Sequence, residues 1–187
     1  MRADIRELAL GGFSLLLDDS LVINFGGFGV VLRASLDSSP LALKLMVASS
    51  THVSEAAERE AAVLFDALPA HAHVVRLISH ETVSAAQPAI RLLCHAISTN
   101  LSSRTDNAIA RGHRIHLPLL DEYPIHLLAY ELLKGSTLFE IVSRSRLPID
   151  EAREIFSQLA EAVGHCHAHS IAHLDLKLEN ALLEEGG

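Results

Sequence analysis

Between Leu21 and Val47 apolar, β-rich runs alternate with turn residues, and no other stretch limits the available folds as strongly. The runs are LVINFGGFGVVLRASL and LALKLMV, parted by Asp37-Ser38-Ser39-Pro40. Such segments bounded by Gly and Pro read as hairpin strands, which commits this part to an antiparallel sheet. Gly26, Gly27 and Gly29 fall in the turn before the second strand. Glycines there would let backbone N–H groups approach phosphate oxygens, although a Gly cluster between strands is more often a plain tight turn. A helix is expected next, over Ser54–Leu68: Ser54 suits its N-cap, Glu55 its first turn, and Pro69 follows its end. Its apolar stripe is Val53, Ala57, Leu64 and Ala67; Glu60 falls on that stripe, whereas Glu55 and Glu58 do not. A carboxylate on an inward face wants a cation, and Lys44, alone among Leu41, Leu43, Leu45 and Met46, is the obvious one.

A second set of polar groups sits at fixed offsets within Ile171–Leu183, with apolar residues on both sides: Asp175, Lys177 and Asn180. A carboxylate can orient or deprotonate a hydroxyl, an ammonium can neutralise phosphate charge, and a carboxamide oxygen can ligate Mg²⁺. The string HLDLKLEN strongly resembles the catalytic loop of eukaryotic protein kinases, H-R-D-L-x-x-x-N. It has Leu174 where Arg is usual and Leu178 where Pro is common. The resemblance extends upstream. Gly26-Gly27-Phe28-Gly29-Val30-Val31 resembles the kinase Gly-rich loop, with Asn24 in its first glycine position, and Ala42-Leu43-Lys44 resembles V-A-I-K. A lone strand lysine can also be a snorkelling edge residue; the Gly loop at the right distance upstream favours the functional reading. His71–Ile78 looks like the segment leading into the fourth kinase strand, and Ile125–Ser136 like the fifth strand and hinge.

The resemblance implies an α+β fold: a protein-kinase-like N-lobe (antiparallel β-sheet plus one helix) and the start of a mainly helical C-lobe. Residues 1–20 would be an N-terminal extension, 21–133 the N-lobe with an insertion at about 84–123, and 134–187 a partial C-lobe ending after the catalytic loop. It further implies a Ser/Thr protein kinase that holds Mg-ATP between its lobes and phosphorylates protein hydroxyls, with Asp175 and Lys177 catalytic and Asn180 on Mg²⁺. ATP would be held by Asn24, Gly26, Gly27, Phe28, Gly29, Val31, Ala42, Lys44, Glu60 and Leu182. Backbone groups of Glu131 and Leu133 would meet the adenine edge, with Tyr130 at the gatekeeper position. The sequence stops at Gly187, before a D-F-G aspartate, so the chain reads as truncated after the catalytic loop. The alternative is a truncated or pseudokinase module that binds nucleotide or a partner without phosphoryl transfer.

The rest of the chain bounds these readings. A short helix is expected over Thr137–Ser143, capped by Ser136, and a longer one from Asp150 to about His169. The apolar face of the longer helix, Ala152, Ile155, Phe156, Leu159, Val163 and Cys166, reads as core. His165, His167 and His169 alternate, which on a helix scatters their directions, so they suit its C-terminal dipole better than a metal. His71 and His73 read as loop histidines bonded to backbone. Residues 84–123 match no kinase element, and disorder is expected around 98–113. A net charge of −8 argues against nucleic acid as a partner. Two cysteines form no disulfide framework, and no apolar run reaches the ~18 residues of a membrane span. Acidic residues Asp18 and Asp19 stand where a signal peptide needs small ones, so a cytoplasmic protein is expected.

Overall fold

The computed structural model describes residues 7–26, 29–103 and 123–184, in two units. The larger comprises residues up to Ala61 together with Leu77–Glu131, and the smaller Ala62–Arg76 together with the chain from Leu132 onward.

Alternation of buried and outward residues builds the larger unit. Strands β1 (Glu7–Leu10), β2 (Phe13–Leu16), β3 (Val22–Gly26), β4 (Gly29–Leu36), β5 (Ser39–Val47), β6 (Leu77–Ser84) and β7 (Pro124–Glu131) form one seven-stranded sheet, ordered β1-β2-β4-β5-β7-β6 with β3 also on β4. All the pairings are antiparallel. Segment 7–16, read from sequence as an extension, thus supplies two strands, because Leu8, Leu10, Phe13 and Leu15 alternate inward. The β4–β5 hairpin turns tightly at Asp37 and Ser38, at φ +49° and +66°, so the strand resumes at Ser39. Two consecutive left-handed residues give the hairpin twist that matches the flanking strands.

Each sheet face is covered by its own helix. On one face Leu32, Leu43, Leu45, Leu127 and Ala129 share a core with Ile90, Leu93, Cys94 and Ile97 of α2 (Pro88–Ser103). The spacing 90, 93, 94, 97 is a helical stripe, and Pro88 sits at the first helical position that tolerates it. The expected disorder around 98–113 is therefore corrected for 98–103, which continue this helix; its remainder lies outside the described residues. Burial pushes the Cys94 thiol up to about 11, so this cysteine behaves as an apolar core group.

The opposite face carries Val31, Ala42, Lys44, Met46, His126, Leu128 and Tyr130, since directly opposed residues of antiparallel strands share a face. It meets α1 (Thr51–Ala62), which runs on into a π-helical turn, Val63–Ala67. The helix starts earlier than Ser54: Ser50 Oγ accepts from Val53 N at 3.4 Å. The Ser54 hydroxyl, expected as the cap, is turned to the sheet instead, 3.0 Å from His126 Nε2.

In the smaller unit, α3 (Leu138–Arg144) begins with a reciprocal capping box between Thr137 and Glu140, one residue after the expected cap Ser136. Strands β8 (Gly135–Thr137) and β9 (Leu182–Glu184) form a two-stranded ribbon, so close that a Cβ on Gly135 would stand 1.9 Å from Leu183 O. Helix α4 (Ile149–Ala168) spans nearly the expected range. Its expected core face is corrected: only Ala162 is buried among its residues, and Phe156 is 72% exposed. Helical spacing says which side of a helix is apolar, but a core needs a facing element as well. Three of the histidines meet backbone groups: His165 Nε2 lies 2.8 Å from Pro69 O, His169 Nδ1 lies 2.9 Å from His165 O, and His71 Nδ1 accepts from His73 N at 3.2 Å. Among the described residues no helix is long and apolar enough to cross a membrane.

Core membership of α2 predicts a contrast between neighbours. Leu93→Ala should cost about 2–5 kcal/mol in urea denaturation, the range for a fully buried leucine. Leu92→Ala, at a side chain 41% exposed, should cost about 0.5 kcal/mol or less.

Candidate functional site

Strand β5 points Leu43 and Leu45 into the α2-side core and leaves Lys44 on the face that meets α1. Its ammonium lies 2.9 Å from Glu60 Oε1 and 2.7 Å from Oε2, so the lysine engages both carboxylate oxygens. The side chains keep 23% and 31% of their exposure, so solvent still reaches the pair. The sequence did not suggest a third member. The Tyr130 hydroxyl donates to Glu60 Oε1. Burial, then the neighbouring carboxylate charge and hydrogen bond, push the Tyr130 phenol well above its ordinary range, so it stays a donor. The sequence carried no signal for it, because the register that pairs Tyr130 with Ala42, one step along the same face from Lys44, exists only in the folded sheet.

Val31 lies directly opposite Lys44, and Ala42 is its same-face neighbour, so three expected ATP-site residues and Glu60 come to one side of the sheet. Asn24 pairs with Val31 on β3, and Gly26 closes the hairpin opposite Gly29. Gly27 and Phe28 lie outside the described residues. Gly29 has a packing reason of its own, since a Cβ there would stand 2.2 Å from Leu45 O. Glu131 ends β7 opposite Leu41, half-buried Leu133 follows, and the division between the units falls just after Glu131.

The other set belongs wholly to the smaller unit. Asp175 Oδ2 accepts from Lys177 Nζ at 2.9 Å and from Asn180 Nδ2 at 2.9 Å, and the same Nδ2 donates to Asp175 O at 2.8 Å. These contacts use only the amide nitrogen of Asn180, on a 3₁₀ turn at Leu178–Asn180, so its carbonyl oxygen is not consumed by them. The Asp175 amide donates to His173 Nδ1 at 3.3 Å, a further contact the motif did not announce. Hydrogen bonds from Lys177 and then Asn180 hold the Asp175 carboxyl below its usual range, and the Lys177 ammonium is correspondingly raised. Both groups are exposed, so the pair orients the loop and adds little to stability. Leu174, in the place of the usual Arg, is 93% exposed at φ +63°, a conformation uncommon outside glycine. Leu182 sits on β9 opposite Thr137.

Magnesium prefers oxygen ligands, and the carboxylate of Asp175 with the carboxamide oxygen of Asn180 forms a donor set that suits it. Among the described residues no group of three or more His, Cys, Asp or Glu side chains is disposed to hold a metal ion, and magnesium bound through one or two protein oxygens ordinarily keeps water or phosphate oxygens in the rest of its shell.

Residues 117–187 match the protein kinase domain family. Over 57 residues the chain is 51% identical to CBL-interacting protein kinase 19 of Oryza sativa subsp. japonica, covering 30% of this chain and 11% of that protein. Over 63 residues it is 52% identical to serine/threonine-protein kinase SRK2A of Arabidopsis thaliana, covering 33% and 17%. CBL-interacting serine/threonine-protein kinase 5 of Arabidopsis thaliana is 47% identical over 57 residues, covering 30% and 13%. The chain thus spans between 11% and 17% of the length of these relatives.

The loop geometry can be checked by titration. Lys177→Met should move the Asp175 carboxyl midpoint, followed by ¹³C NMR, up toward the ordinary value of about 3.9. Asn180→Ala should move it in the same direction by less, because Lys177 is the larger influence. A midpoint unmoved by either change would mean that these contacts do not form in solution.

Proposed function

We propose, from the match of residues 117–187 to the protein kinase domain family and their similarity to Ser/Thr kinases, that the chain binds Mg-ATP and that the protein carrying it phosphorylates protein Ser and Thr hydroxyls. The observation that carries this reading is the Lys44–Glu60 ion pair at 2.7 Å, which orders an ammonium without a ligand. Preorganised charge costs no reorganisation when phosphates arrive. Lys44 would hold the α- and β-phosphates while Glu60 and Tyr130 fix its position. Asn24, Gly26, Gly27, Phe28, Gly29, Val31, Ala42 and Leu182 would enclose the nucleotide, and Glu131 and Leu133 would meet the adenine edge.

In transfer the substrate hydroxyl oxygen bonds to the γ-phosphorus as the bond to the β–γ bridging oxygen breaks, and the hydroxyl proton passes to Asp175. A carboxyl held below its usual range is ionised at neutral pH and ready to orient that hydroxyl. Lys177 would offset charge on the transferred group, and Asn180 would supply a magnesium ligand. Magnesium, when bound, neutralises phosphate charge and holds the phosphates in line. A cytoplasmic setting belongs to the same reading, supported by two cysteines that form no disulfide. Binding without transfer is the second reading, favoured by Asn24 on a paired strand where the family's loop has its first glycine.

Thermal-shift titration with ATP tests binding. Wild type should melt higher in Mg-ATP, by about 2.7 kcal/mol of added stability at a hundredfold excess over Kd. Lys44→Met should lose most of that gain. A wild-type melt indifferent to Mg-ATP would end the reading. Radiolabel transfer to protein substrate should fall about a hundredfold or more in Asp175→Ala. Equal label from both chains would leave nucleotide binding as the function.

A further inference from the structure

Helix α1 carries Glu60 but has little apolar surface with which to hold itself to the sheet, since its buried residues are Ala57 and Ala61. Burying a methyl group contributes far less than burying the Ile and Leu side chains that seat α2. Polar contacts therefore help to fix where α1 rests on Met46 and Leu128 of the sheet, and among the described residues two lie along its inner side. One is Glu60 with Lys44 and Tyr130. The other lies six residues earlier, about 9 Å along the axis: Ser54 Oγ is 3.0 Å from His126 Nε2.

His126 is built into its place. It is 2% exposed on β7, and its Nδ1 lies 3.1 Å from His80 Nε2 and 3.2 Å from Thr82 Oγ1, both on β6. The His80 ring stacks on it with centroids 5.3 Å apart. On β5 the residue opposite is Met46, with Lys44 next along the same face. From α1 the facing charge is Glu58, whose Oε1 is 3.3 Å from the same Ser54 hydroxyl. We infer that His126 is a positioning residue: through Ser54 it tethers the first half of α1 and so holds Glu60 against Lys44. The inference deepens the nucleotide-binding reading and rests on it for its consequence in function, whereas the tether can be tested without nucleotide.

A single proton on the ring lets one nitrogen donate and the other accept, which suits a bridge between α1 and β6. Burial, with the charge of His80, holds the ring below its ordinary pKa, against an opposing pull from Glu58. The unfolded chain takes up that proton near the ordinary value of about 6.5, before the folded chain does. Stability is therefore lost as pH falls below about 6.5, and the loss stops once the folded ring is also protonated. The ring is anchored to β6 through Nδ1, which can accept from Thr82 or His80 only while the ring is neutral. This anchor of the tether is therefore complete at neutral pH and weakens once the ring is protonated, although Nε2 can still meet the Ser54 hydroxyl.

The chain has three lysines, Lys44, Lys134 and Lys177, and exposed Lys134 serves as an internal reference. Acetylation of the full chain by a dilute N-hydroxysuccinimide acetate, read by peptide mass spectrometry, measures how firmly Glu60 holds the Lys44 ammonium. Ser54→Ala and His126→Leu should raise the Lys44-to-Lys134 ratio roughly fivefold, the local opening expected from losing one neutral hydrogen bond. His126→Gln, whose amide can replace Nε2, should stay within about twofold of wild type. Between about pH 7.5 and about pH 5.5 the ratio should climb in wild type and stay flat in Ser54→Ala. An unchanged ratio in Ser54→Ala that still melts cooperatively would overturn the tether, as would a wild-type ratio indifferent to pH. If His126→Leu fails to fold, Ser54→Ala decides alone. A ratio that moves as expected in a chain that ignores Mg-ATP would sink the nucleotide reading and leave the tether standing.

Discussion

A carboxylate set against a largely apolar sheet face needs a cation and a donor beside it, or it drives its own helix away. Glu60 has both, from Lys44 on β5 and Tyr130 on β7. Those two strands are neighbours in the sheet, so one carboxylate fastens α1 across the β5–β7 seam. The contact stays about a quarter to a third exposed, which spares it the full desolvation cost of a buried ion pair. Under the proposed function, stability and phosphate binding are drawn from the same few atoms.

The two faces of this sheet are held by different physics. On the α2 side, Ile90, Leu93 and Ile97 interlock with Leu43, Leu45 and Leu127 in a closely packed apolar core, and such cores resist displacement. On the α1 side the helix offers alanines, and directional hydrogen bonds to Glu60 and Ser54 help to set its place. Polar tethers of this kind depend on protonation state and on ligands, whereas an apolar core does not. A helix seated by them is the more readily biased of the two.

The Asp175 loop follows a third pattern. Its groups are exposed, so its contacts are too weak to stabilise a fold, yet they converge on one carboxylate from a cation and an amide. The effect is to fix the direction and the charge of Asp175. Leu174, beside it, holds a left-handed backbone with its side chain in solvent, a local cost of order 1 kcal/mol with no packing return among the described residues.

Much of this could be read from residue order. The β4–β5 hairpin, the helix after it, the pairing of Glu60 with Lys44 and the polar spacing at 175, 177 and 180 are local patterns, and local patterns survive in a one-dimensional string. Helix α2 was also present as a stripe at 90, 93, 94 and 97, but serines, threonine and asparagine toward its end disguised it as a loop. Position in three dimensions settled what spacing leaves open. Tyr130 reaches Glu60, and His126 reaches Ser54, across 70 and 72 residues of chain, because strand register alone brings β7 beneath α1. Phe156 shows the converse: the apolar side of α4 was plain from its spacing, but whether anything covers it depends on neighbours that no periodicity can specify.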